Sequence, residues 1–231
     1  MPIVGYSRVS GFSPLQVGWT HAYWAEGPEF VALGLSDGGA VSTWPDEVGT
    51  LDALQATTAK KPSYSAAGGP NSTPTATFDG GDGVLTGTHS QAQTWSIVTI
   101  VKTTAPGGIY YFLGSPSPLV TLTMNNSGTP YGFYAGATGP GVGTVNTSWH
   151  LMRCKGAGAS SVTELDGTPA TGNAGSASLG NIGIGSYDGA GGVGLVGSIC
   201  FVGIANGDVT TDPKWASFKA WVTSHYGITV A

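Results

Sequence analysis

Apolar positions along this chain come in short runs, each closed by Gly, Pro, Asn or Asp. The clearest fall at 41–44, 75–78, 94–102, 109–113, 119–124, 131–134, 149–154, 161–165, 182–187 and 195–204. They recur mostly about every ten residues with turn-forming residues in the gaps, which is the pattern of an antiparallel sandwich or jelly roll. No helical stretch alternates with them, so a parallel α/β sheet is not expected.

Individual turns are legible. Asp166-Gly167 follows the run at 161–165, and a tight hairpin there needs the positive φ that Gly supplies. Asn126-Ser127-Gly128 reads as a longer hairpin loop, and 135–143 and 188–194 as Gly-rich loops. In 180–185 the glycines alternate with Ile182 and Ile184. The two Ile side chains then share one face, and bare backbone on the other admits a close neighbour. Alternation likewise puts Tyr131, Phe133 and Ala135 on one face and Tyr134 on the other.

One helix is predicted, at the end of the chain. Asp212 stands at the N-cap position with Pro213 after it. Trp215, Phe218, Trp221, Val222 and His225 follow at helical spacing, and Gly227 supplies a left-handed stop. The fold class expected is therefore all-β, a two-sheet antiparallel jelly-roll sandwich with one C-terminal α-helix. Residues 1–34 hold Trp19, Tyr23, Trp24 and Phe30 without clear periodicity. They read either as an edge strand integrated with the domain or as an arm docking on another subunit, with 35–231 as the main domain.

Composition narrows the function. Charged residues are 9% of the chain, against roughly 25% in an average soluble domain, and the net charge is −5. The eight Lys and Arg are scattered, so neither a nucleic-acid footprint nor a basic lipid-binding patch is expected. No apolar window is long enough to cross a membrane as a helix. Residues 1–10 lack the charged and apolar regions of a signal peptide, so synthesis and assembly in a host cytoplasm are expected. Cys154 and Cys200 both sit in apolar runs and read as buried thiols.

Four segments in order carry a resemblance. They are LSDGGAVSTWPDEVG from Leu35, with ALQATTAKKP at 53–62 and TATFDGGDGVL at 75–85; Trp149-His150-Leu151 with the hairpin at Leu165-Asp166-Gly167; Ile182-Gly183-Ile184-Gly185 with Gly197-Ser198-Ile199; and the closing His225-Tyr226-Gly227-Ile228. Together they resemble the concanavalin A-like lectin/glucanase superfamily, in its laminin-G-like or pentraxin-like branch, over roughly residues 35–230. The resemblance implies a two-sheet jelly roll. Glucanase members carry an E-x-D-x-E run on one strand, because retaining chemistry needs two close carboxyls. The only candidate here is Glu164-Leu165-Asp166-Gly167, which lacks the third acid and reads as a turn. None of His21, His89, His150 and His225 stands in a motif, and there is no G-x-S-x-G elbow, P-loop or H-E-x-x-H. The chain is accordingly expected not to be an enzyme.

Some relatives implied by the resemblance hold calcium at the sandwich rim, which takes six or more oxygens. The candidates here are Asp79 and Asp82, whose other reading is a turn capped by Asp side chains; no other cofactor is expected. Glycan binding would draw on Tyr110, Tyr111, Tyr131, Tyr134 and Tyr187 as aromatic faces and on Asn125, Asn126 and Asp188 as polar partners. The same segments resemble laminin-G-like domains of bacteriophage tail and particle-surface proteins. The expected function is a structural virion protein, a minor tail or tail-tip component adsorbing to a host cell-surface glycan. Its expected partners are other virion subunits and itself, as a homotrimer. The alternatives are a capsid decoration or head-fibre protein, and a carbohydrate-binding module or glycoside hydrolase.

Overall fold

The computed structural model describes residues 11–125, 130–190 and 193–231. Its elements run in chain order β1 (His21–Trp24), α1 (Pro28–Ala32), β2 (Thr43–Trp44), β3 (Ala53–Leu54), β4 (Ser63–Ser65), β5 (Thr75–Asp79), β6 (Val84–Thr86), β7 (Trp95–Thr103), β8 (Ile109–Pro116), β9 (Leu119–Asn125), β10 (Tyr131–Tyr134), β11 (His150–Gly156), β12 (Ser161–Leu165), β13 (Thr168–Gly172), β14 (Gly183–Ile184), β15 (Val196–Asn206) and α2 (Trp215–Tyr226). The larger sheet has the order β13-β12-β11-β7-β15-β5-β4, with β1 also paired to β15. The smaller has the order β10-β9-β8-β14-β6-β3-β2. The two antiparallel sheets with a C-terminal helix are the fold that the spacing of the apolar runs predicts.

The central strands are apolar on both faces because both faces are covered. On β7, Trp95, Ile97 and Val101 enter the core between the sheets. Val98 and Ile100, half a period away, enter a second apolar layer on the far side of the larger sheet. That layer holds Trp215, Phe218, Trp221, Val222 and Tyr226 of α2, together with Trp19 and Phe201. A strand buried twice reads as one continuous apolar run, which is why 94–102 stands out in the sequence.

β15 is the seam of the larger sheet. Its first half pairs with β5 through Val196–Ile199, and its second half pairs with β1, Phe201 opposite Trp24 and Ile204 opposite His21. A register shift between Ile199 and Phe201 separates the halves. Cys200 sits at the shift and accepts the Ala25 N–H at 2.9 Å. β1 and β5 therefore lie end to end along one edge of β15.

The ends of several elements differ from expectation for local reasons. α2 begins at Trp215 rather than at Pro213. The Asp212 carboxylate accepts the Lys214 N–H at 2.7 Å and the Gly18 N–H at 2.8 Å, so it closes an Asx turn ahead of the helix instead of capping it. The predicted stop is in place: Gly227 has φ 69° and donates to the Thr223 carbonyl. The run at 182–187 contributes only the two residues of β14, because Gly185 leaves the strand at φ +84° with its Cα against the Phe78 ring. Asp166 and Gly167, at φ 49° and 86°, make the tight turn read from the sequence. Asn126-Ser127-Gly128 lies outside the described residues. Cys154 and Cys200 are free and buried, and burial pushes both thiols well up.

Candidate functional site

The outer face of the smaller sheet carries a pocket of about 400 Å³ across β8, β9 and β10. Strict alternation on β9 builds its floor. Val120, Leu122 and Met124 point into the core, which leaves Leu119, Thr121, Thr123 and Asn125 facing out to line the pocket. On β10, Tyr131 and Phe133 are core residues and Tyr134 stands outward. On β8 the register shifts between Tyr111 and Leu113. Phe112 and Leu113 are both fully buried, so Tyr111 faces the pocket and Tyr110 packs against the core. Tyr187 comes in from the loop after β14 and meets the Tyr111 ring edge-on, with centroids 6.0 Å apart. Thr138 bridges back to Tyr134. The pocket thus offers aromatic rings, hydroxyls and one amide.

Of the residues picked out by sequence, Tyr111, Asn125, Tyr134 and Tyr187 meet in this pocket. Asp188 follows Tyr187 and closes a turn by accepting the Ala190 N–H at 2.9 Å. Tyr131 is 1% exposed, and burial pushes its hydroxyl up to about 12. Asn126 lies outside the described residues. Thr121 and Thr123 are additions that the structure makes. They were readable from the apolar 120-122-124 alternation, whereas the bulge hid which of Tyr110 and Tyr111 faces outward.

Asp79 and Asp82 do come together, in the turn between β5 and β6. Asp79 accepts the Gly81 N–H at 2.8 Å, and Asp82 accepts the Asp79 N–H at 3.3 Å. Burial and then the Asp79 charge raise Asp82. Each carboxylate already serves the turn, and among the described residues no group of three or more His, Cys, Asp or Glu side chains is placed to hold a metal ion.

The acids of the single-strand candidate are engaged elsewhere. Glu164 Oε2 takes both Nε (3.0 Å) and Nη2 (2.7 Å) of Arg153 on the neighbouring strand. Asp166 holds His150 at 2.6 Å and the Leu151 N–H at 2.9 Å. The fold instead gathers acids from separate segments: Glu29, Asp46, Glu47 and Asp52 line a second cavity of about 490 Å³. Asp46 pairs with His21 Nδ1 at 2.6 Å. Burial raises Asp46, but the His21 contact and the N–H groups of Gly49, Ala22 and Leu51 outweigh it and bring the carboxyl down to about 2. Glu47 accepts the Glu29 and Phe30 N–H groups at the start of α1, and burial raises it.

No family model matches the chain, and no curated protein matches it. Solved structures do. Trypanosoma rangeli sialidase in complex with sialic acid superposes with a TM-score of 0.56 at 15% identity, over 93% of this chain and 34% of that one. Domain 4 of a GH43 extracellular arabinanase from Geobacillus stearothermophilus, in complex with arabinotriose, superposes with a TM-score of 0.55 at 14% identity, over 83% of this chain and 93% of that one. The chain spans about a third of the sialidase it matches. At these identities the likeness is one of fold alone, a two-sheet antiparallel sandwich.

The expectation that the chain is no enzyme is corrected by this likeness. Its sandwich is one found within sialidase and arabinanase chains, so a glycosidase-like fold takes the place of that exclusion. The exclusion rested on looking for paired acids along one strand and for known catalytic motifs. Topology brings acids together from distant segments, as at Glu29, Asp46, Glu47 and Asp52.

Proposed function

We propose that this chain is a carbohydrate-binding β-sandwich that holds a sugar in the pocket on β8, β9 and β10. The observation that supports this reading is the pairing of tyrosine rings with a hydroxyl-bearing strand floor: Tyr111, Tyr134 and Tyr187 around Thr121, Thr123 and Asn125. A sugar presents C–H faces that pack on aromatic rings and hydroxyls that both donate and accept. The pocket's volume is within the range of small-molecule sites, and its position on regular strands holds its side chains in fixed register. The fold is shared with an arabinanase domain solved with arabinotriose, which favours the module reading over a purely structural one.

The test is titration of the chain with neutral and acidic oligosaccharides. Tyr111→Ala and Tyr134→Ala should each weaken binding at least about tenfold, which corresponds to about 1.4 kcal/mol, with the melting temperature held. Unchanged affinity in both variants would sink the reading. As to setting, we propose the particle-surface role that the segments between residues 35 and 85 resemble, with other virion subunits as neighbours and a homotrimer as the assembly. Detecting the chain in purified virions tests that setting.

A further inference from the structure

Resting on the reading of this pocket as a sugar site, we infer that it takes an uncharged saccharide and discriminates against one bearing a carboxylate. Tyr111 on β8 stands opposite Thr123, and Tyr134 on β10 stands opposite Thr121. The two rings are thus anchored two strands apart, about 10 Å across the sheet and about 7 Å along it. Between them lie the threonine side chains of β9 and Gly132, which adds no side chain. Nothing in this arrangement is a cation.

The basic residues among the described ones can be accounted for one by one. Lys102 lies over the Trp149 ring at 5.8 Å. Arg153 is paired with Glu164 and Asp208, and Lys155 with Asp208. Lys214 precedes α2, and Lys219 on α2 donates to the Ala231 carbonyl at 2.6 Å. These belong to the larger sheet and its helix, on the opposite side of the sandwich. Lys60 and Lys61 lie between β3 and β4 and do not line the pocket. Arg8 completes the eight and is outside the described residues. The segments 126–129 (Asn, Ser, Gly, Thr) and 191–192 (Gly, Gly), which follow β9 and Asp188, contain no charged residue, so they supply no cation either. Asp188, next to Tyr187, adds a negative charge on that side.

A sugar carboxylate entering this pocket would give up water for rings and hydroxyls with no Arg or Lys among the described residues to meet it, an unfavourable exchange. The net charge of −5 adds long-range repulsion. A neutral sugar meets neither penalty.

The experiment is calorimetric titration of the full chain at pH 7 in low salt with matched pairs: lactose against 3′-sialyllactose, and neutral against uronic-acid trisaccharides, chosen after a glycan-array screen. The expected result is a neutral ligand bound at least about tenfold more tightly than its carboxylated counterpart. That binding should be lost in Tyr134→Ala and in Thr123→Trp, the second variant filling the pocket rather than emptying it. A carboxylated sugar bound as tightly as the neutral one, and displaced by the same variants, overturns this inference while leaving the sugar site standing. No binding across the array, or binding indifferent to both variants, overturns the sugar site and this inference with it.

Discussion

Asp46 shows how much one side chain does in this fold. Its carboxylate is fully buried and gathers the N–H groups of Ala22, Val48, Gly49 and Leu51 besides His21. It thereby ties β1 to the loop after β2. Because its folded pKa lies at about 2, below the ordinary carboxyl value of 3.8, it stabilises the fold above that ordinary value, and the contribution fades as pH falls towards 2. Asp46→Asn should cost about 2 kcal/mol at pH 7. Urea denaturation at several pH values should show the gap from wild type narrowing between pH about 4 and 2. A gap that stays constant down to pH 2 would remove this account. At the same scale, the choice between Tyr110 and Tyr111 was not legible in the sequence. Counting back from Leu113, which is buried, puts Tyr111 inside and Tyr110 outside; the bulge at Phe112 reverses that.

At the level of elements, what could be read from sequence was set by length and by burial. β7, β9, β12 and β15 are long enough, and buried enough, to show as apolar runs. β2, β3 and β14 have two residues each, too few for any alternation to register. β4 (Ser-Tyr-Ser) is half-buried, and β13 is an outer edge strand bearing Pro169, a residue that edges tolerate; neither resembles a core strand. α2 was legible from its aromatic spacing, and its anchor is Phe218. That ring is fully buried, 5.3 Å from Trp215, 5.5 Å from Phe201 and 5.6 Å from Trp19. Phe218→Ala should cost about 3–5 kcal/mol in chemical denaturation. Sugar affinity should be unaltered in the folded variant, since the pocket lies on the other sheet. A loss of affinity without a loss of stability would contradict the separation of the two faces.

For the molecule as a whole, the sandwich was foreseeable because its central strands announce themselves. The site was foreseeable only in part, because it is assembled across three strands and a loop that the sequence keeps apart. The sandwich also has a sealed side and an open one. Phe12, Leu15 and Val17 near the first described residue pack in the same apolar layer as Ile228 and Val230 near the last. That layer lies behind the larger sheet, and the pocket opens from the smaller. A tether, a tag or a fused partner joined after Ala231 therefore emerges from the rear of the molecule, and a surface decorated with this chain through such a joint would hold every pocket facing away from its support.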